Sequence, residues 1–415
     1  MVIGVIERML LLAVVFFAEE VMDGKSSTLL TEKELLVEEK LNLINKPAVK
    51  SIQVRCNFTS ISNLSIRYAF RVFDQILVVR PSTNDENLQS EDGDTIDCVD
   101  VYKQPAFDHP QLKHHTIQMR PSDEHFGRRG VASCRSSVRM PAQVWQRSGS
   151  CPNGTVPILR VQERHLLNAP SITNYGRKPR KGITELEVRV ANQSLGVLVG
   201  SGFNYIGAKA SINIWNPYME SDDEFTSGQI WLTNGEYNNS DSIEVGWMVS
   251  ASAPTTRFVQ TSSEIALGGS FSAVSTFDGR QYEFLVNDFD NGRWWLMYGE
   301  NVTVGYWPVS LFRGLSKTAT VVVFGGDVYS PRMKQSPHTA TAMGSGSFSS
   351  EHFGRAAFIG KPRIKDYSGE YKYPYPFGTL STQTSCYSAE NYADILWTEP
   401  LFYYGGPGRS YPYCQ

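Results

Sequence analysis

From Ile183 onward the chain is written almost entirely in strand-like segments. ITELEVRV sets Leu186, Val188 and Val190 between polar and charged residues, and ASINIW, QIWLT, IEVGWMV, YEFLV, RWWLMYG, VTVGYWP and TATVVVF follow it. Short runs rich in β-branched and aromatic residues, alternating with period two, suit pleated strands with one buried face. Breaks such as NGEYNNSDS and DFDNGR separate them with turn-forming Asn, Gly, Asp and Ser. No segment there sustains a helical period beyond two turns. The spacing predicts a mainly β fold, an antiparallel β-sandwich or barrel, in one domain of about 240 residues.

What precedes it has a different texture. TEKELLVEEKLNLINKP (31–47) carries Leu35, Leu36, Leu41, Leu43 and Ile44 among charges, a short amphipathic helix stopped at Pro47. Residues 91–165 are rich in Pro, Arg and His with little periodicity, which predicts an irregular α+β region packed on something else. The basic cluster RKPRK (177–181) reads as an exposed, cleavable linker, so the boundary falls between 165 and 183. At the N-terminus, Arg8 precedes the apolar run Met9 to Ala18. That run suits an export signal over residues 1–22 and is too short to span a bilayer. No other stretch predicts a membrane span, and N-x-S/T triplets at Asn57, Asn63, Asn153, Asn192, Asn238 and Asn301 suit the same secretory route.

Composition removes several function classes. A net charge of −3 with a pI near 6.2 gives no concentrated positive surface for nucleic acid. The cysteines at 56, 98, 134, 151, 386 and 414 form no C-x-x-C pair and suit a few disulfide staples. DHPQLKHH (108–115) groups His109, His114 and His115, and reads as a solvated loop rather than a metal cluster. There is no G-x-S-x-G, P-loop or H-E-x-x-H, so serine, nucleotide and metallo mechanisms lack support. What remains are carboxylates set among apolar strands: Glu244 in SIEVGW and Asp327 at the end of VVVFGG. Such an acid is costly unless paired, hydrogen-bonded or functional. On spacing alone both are strand-end or turn acids, and Gly-Gly-Asp is an ordinary turn.

A set of ordered motifs changes that weighting. DGDTIDCVDVYKQPAFDHPQLKHH (92–115), SCPNGTVPILR (150–160), YIGAKASINIWNP (205–217), GQIWL (228–232), IEVGW (243–247), RWWLMYGENVTVGYWP (293–308) and LFYYGGPG (401–408) together resemble the plant neprosin family. The resemblance implies a signal peptide (1–22), an activation-peptide region (23–170) and a neprosin-type β-sandwich domain (171–415). It further implies a secreted, extracellular glutamic endopeptidase of the apoplast or cell wall. Such an enzyme is made as a proenzyme held by its own propeptide, cleaves proline-containing peptides, and uses no metal or cofactor. The family's two catalytic glutamates match Glu244 and, after Gly-Gly, Asp327. Its C-terminal disulfide matches Cys386 with Cys414. Gln229, Trp231, Trp247, Tyr306 and Trp307 are the substrate-binding candidates, and core packing is the competing reading for the tryptophans.

Two close carboxylates cannot both ionise cheaply, so one holds a proton and acts as acid while the other activates water. An acidic optimum that belongs to the pair follows. Three features depart from the family. Aspartate at 327 is one methylene shorter than glutamate. A Cys-flanked loop usual between GWMVSA (246–251) and TTRFVQTSSEIALGG (255–269) is missing. Residues 53–90 interrupt the join between KSIQ and DGD; they are either a real insertion or translated intron sequence, the second being the favoured reading, and sequencing the transcript decides. An inactive neprosin-like binding protein is therefore the second function class, and a glycosidase, which also pairs carboxylates among tryptophans, the third.

Overall fold

The computed structural model describes residues 33–54, 94–122, 141–167, 192–235, 240–250, 257–290, 292–299, 302–373, 377–392 and 399–415, with residues 172, 175 and 375. The export signal, nearly all of the 53–90 interruption, RKPRK and the ITELEVRV segment lie outside them.

Residues 33–44 form the expected helix. Its buried stripe is Val37, Leu41 and Ile44, spaced i, i+4, i+7, packed on Val161, Leu166 and Tyr175. Leu35, Leu36 and Leu43 are exposed. Next come β1 (Ala48–Gln53), β2 (Thr95–Asp100) and β3 (Thr155–Leu159), an antiparallel sheet with β2 in the centre. β2 is buried along almost its whole length, so TIDCVD shows no alternation and was hard to read as a strand. Its buried Asp97 is held by Arg160, Nη2 to Oδ1 at 2.6 Å, and by the Ser51 hydroxyl at 2.7 Å. A disulfide joins Cys98 to Cys151. β1 and β2 close on each other directly: Gln53 pairs with Thr95, and the Val54 amide donates to the Asp94 carbonyl at 2.9 Å.

The rest is two antiparallel sheets that share one strand. β4 (Gln193–Asn213) is 21 residues long. Its first half pairs with β11 (Ala319–Tyr329) on one side and β14 (Phe377–Ser381) on the other. Beyond β11 lie β5 (Phe225–Asn234) and β6 (Asp241–Ser250). The second half of β4 pairs with β12 (Ala357–Asp366) and β8 (Glu283–Asp290). From β8 the second sheet continues through β9 (Arg293–Tyr298) and β10 (Val302–Pro308) to the short β7 (Val259–Gln260). From β12 it continues through β16 (Leu401–Gly405) to β15 (Ser388–Asn391), and β13 (Tyr371–Lys372) also pairs with β12. Between the halves of β4, Gly202 has φ +89°, a left-handed conformation that glycine adopts without strain.

The predicted β-sandwich is therefore the observed fold. Leu198, Ile230, Val245, Trp247, Val322 and Phe324 of the first sheet meet Ala208, Ile212, Trp294, Trp307, Ile359 and Phe402 of the second in one core. A second disulfide, Cys386–Cys414, holds the C-terminal segment, as the family resemblance implied.

The N-terminal region docks on the outer face of the second sheet. Ala106 and Leu112 pack with Val259, Trp295 and Tyr306. The His-rich stretch read as a solvated loop is part of this contact: His115 Nε2 lies 2.7 Å from the Tyr306 hydroxyl, which also accepts from the Gln118 amide at 3.1 Å. Which of the two atoms donates in the His115–Tyr306 contact depends on the imidazole tautomer. Burial, and secondly the Arg293 guanidinium on β9, hold His115 below the ordinary histidine value of 6.5. Arg293 Cζ sits 5.3 Å from the Tyr306 ring centroid. A histidine whose folded pKa is depressed favours the docked state above its unfolded value, and that contribution is lost as pH falls below 6.5 toward the lowered value. Acidification across that window is expected to raise hydrogen exchange of residues 105–118. The same measurement on His115→Gln should show a flatter pH dependence, and an unchanged profile would remove His115 from the contact's pH response.

Candidate active site

The first sheet has two faces. Along β5, Thr226, Gly228, Ile230 and Leu232 face the sandwich core, and Ser227, Gln229 and Trp231 face away from it. The assignment follows from the period of two and from the clusters each residue joins. Register then fixes which residues share the outer face. Glu244 of β6 stands opposite Trp231 and Asp327 of β11 opposite Ser227. Leu195 of β4 stands opposite Asp327, and Gln193 is two pairs beyond it, opposite Tyr329.

These pairings place Gln193, Asp327, Gln229 and Glu244 on a diagonal across β4, β11, β5 and β6. Each step moves one strand over and two residues along, about 8 Å. The order is amide, acid, amide, acid. On one flank lie Phe225, Tyr329 and Met248, with the Phe225 and Tyr329 rings stacked at 5.4 Å. On the other lie Trp231, Val323, Leu195 and Val197. A polar line thus separates two apolar walls on one sheet face.

The line is enclosed. Gln229 and Asp327 are 0 % exposed, Gln193 2 % and Glu244 8 %. Glu244 accepts from the Ser242 hydroxyl at 3.0 Å. Both side-chain amide atoms of Gln193 and of Gln229, and the Ser227 hydroxyl, have no hydrogen-bond partner among the described residues. A buried polar atom left unpaired costs about 1–3 kcal/mol, so this cluster is costly to the folded chain.

Glu244 and Asp327 are on one face, but they do not form a close pair. Their Cα atoms are two diagonal steps apart, about 16 Å, because β5 lies between their strands. That exceeds the reach at which the two carboxyls share a proton directly, and Gln229 occupies the position between them. The expectation of two adjacent carboxylates is replaced by an acid on each side of a carboxamide. Of the other candidates, Trp231 shares the face. Trp247 and Trp307 lie in the core, where Trp247 Nε1 donates to the Asn213 carbonyl at 2.8 Å and Trp307 packs edge-on against Phe258. Tyr306 lies under the N-terminal region on the other sheet.

Gln193 and Ser227 escaped the sequence reading. The available signal was a glutamine at a position where Leu195, Val197 and Val199 continue an apolar alternation. Glu224 is a further buried acid just before β5. It accepts from Ser330 Oγ at 2.6 Å, Arg332 Nη2 at 2.7 Å, Thr339 Oγ1 at 2.9 Å and also from the Thr341 hydroxyl. Its oxygens are fully used, so it ties the start of β5 to the exit of β11 and thereby fixes the strands that carry Gln229 and Asp327. Among the described residues, one His/Cys/acid cluster has metal-like spacing, His338 with Cys386 and Cys414, and those two sulfurs are bonded to each other.

Gly246 shows how tightly the row is built. A Cβ there would stand 2.1 Å from the Gly228 carbonyl oxygen and 2.4 Å from Gln229 Cβ, so the backbone would have to move. Gly246→Ala is expected to destabilise the domain by about 1–3 kcal/mol. A thermal melt within error of wild type would refute this packing.

Fold and site together describe a two-sheet antiparallel sandwich with a buried row of carboxylates and carboxamides on one sheet and an N-terminal region docked on the other. Residues 253–407 match the family Neprosin, and residues 87–203 match the Neprosin activation peptide. The chain belongs to the neprosin family and carries the two-part make-up of its proenzymes. Asp327 lies inside the first match, whereas Gln229 and Glu244 fall between the two. The activation-peptide match extends beyond RKPRK into β4, so its end does not mark a cleavage point.

Proposed function

We propose that this chain is a secreted proenzyme of a glutamic-type endopeptidase that cleaves beside proline, with Glu244 and Asp327 as its acids. The observation that carries the reading is the diagonal in which Gln229 stands between the two. In this reading one carboxylate takes a proton from water, whose oxygen adds to the scissile carbonyl. Gln229 Nε2 donates to the oxyanion that forms. The other carboxyl, protonated at acid pH, gives its proton to the leaving nitrogen as the C–N bond breaks. The amide buried without a partner is then used only when a substrate arrives. Trp231 on one side and the Phe225–Tyr329 stack on the other offer aromatic faces for a proline ring.

Enclosure of the row fits a latent precursor, and the two disulfides fit an oxidising compartment. No helix among the described residues is long and apolar enough to cross a membrane. Cleavage by the acid-treated protein of quenched-fluorescence peptides with and without proline, with products identified by mass spectrometry, tests the reading. Absence of cutting by wild type and by Asp327→Glu would overturn it. The separation of the acids and the shorter side chain at 327 favour a second reading, a binding protein that keeps the sandwich without turnover. In that case peptides are retained and not cut.

A further inference from the structure

The row has one member that the proposed chemistry leaves unused. Gln193 is 2 % exposed, and both of its amide atoms lack a hydrogen-bond partner among the described residues. It stands one diagonal step beyond Asp327, on the side away from Gln229. A lone unsatisfied glutamine could be a local defect. Two of them, placed symmetrically about one acid on the same face, call for a common explanation.

Resting on the peptidase reading above, we infer that the diagonal Gln193–Asp327–Gln229–Glu244 is a track for an extended peptide main chain, with Gln193 as a substrate-binding residue. A carboxamide offers one donor side and one acceptor side, the complement of a peptide group, which has one N–H and one C=O. Such a contact reads main chain and is indifferent to the substrate's side chains. Three steps of about 8 Å give a track of about 25 Å, the length of some seven residues of extended chain. Gln193 lies two steps, about 16 Å, from Gln229, so it meets the substrate four or five residues from the bond attacked. The track carries no lysine or arginine, and its flanks are Phe225, Tyr329 and Met248 on one side and Trp231, Val323 and Leu195 on the other. The substrate class is therefore an extended, largely uncharged segment of several residues, and proline alone is insufficient for recognition.

The experiment uses the acid-treated full chain and a series of quenched proline peptides lengthened one residue at a time on each side. In wild type, kcat/KM is expected to rise about tenfold when the peptide becomes long enough to reach Gln193, the worth of about one main-chain hydrogen bond pair. The rise should appear mainly in KM. In Gln193→Leu the ratio of long to short peptide falls to about one, and Gln193→Met, with matching melts, guards against a folding defect. A long-to-short ratio unchanged in both variants overturns the inference while leaving the peptidase reading intact. If wild type cuts nothing, fluorescence anisotropy of the labelled long and short peptides decides. Length-dependent binding that the Leu variant loses supports the track without chemistry, and absence of binding overturns it together with the peptidase reading.

Discussion

Glu244→Gln, made in the full chain and acid-treated beside wild type, is expected to lower cleavage of a proline-containing peptide by about 10³-fold, within the range of a lost general acid or base. The substitution keeps volume and hydrogen-bonding capacity, and Ser242 can still donate to the remaining carbonyl oxygen. The fold is therefore preserved, and a matching thermal melt confirms it. The readout is kcat/KM by fluorescence. Retention of more than a tenth of wild-type activity would remove Glu244 from the chemistry, because the row holds no second acid on that side of Gln229.

Asp327→Glu should move activity in the other direction. The side chain lengthens by one methylene to that of the family's glutamate, and a misplacement of about 1 Å in such a site costs on the order of 100-fold. A gain approaching that size is expected in kcat with little change in KM. The position is fully buried with Ser227 directly across the strand pair, so the extra methylene is also expected to cost about 1–3 kcal/mol of stability. Higher activity with a lower melting temperature is the distinctive combination. Lower activity in the variant would show that the face is built around aspartate, with Ser227 supplying the reach that the shorter acid lacks.

The strands rich in β-branched and aromatic residues were legible. QIWLT, IEVGWMV, RWWLMYG, VTVGYWP and TATVVVF all fall on strands, because each is a short run of such residues bounded by turn formers. TIDCVD was not, since two aspartates interrupt its apolar residues and it sits in a stretch without periodicity. Much of β4 was missed because its Gly- and Ser-containing stretch bends between two sheets. For the site, the residue types were legible and their arrangement was not. Glu244 and Asp327 came from motif, but the strand inserted between them is a property of sheet order. No local pattern reports that Ala319–Tyr329 pairs with both Gln193–Asn213 and Phe225–Asn234. Trp247 looks like Trp231 in sequence and differs from it in the parity of its strand position, whereas Trp307 lies on the second sheet.

The hairpin of β1 and β2 bears on how this gene tolerates change. Since Gln53 meets Thr95 and the Val54 amide already bonds the Asp94 carbonyl, everything between enters and leaves through a single doorway. Lengthening such a connection tenfold costs only about 2 kcal/mol in closure entropy. Transcripts with or without those codons are thus expected to give precursors with the same three-stranded sheet and the same Cys98–Cys151 staple. A splicing difference there would change the length of the precursor while leaving the row on the distant sheet untouched.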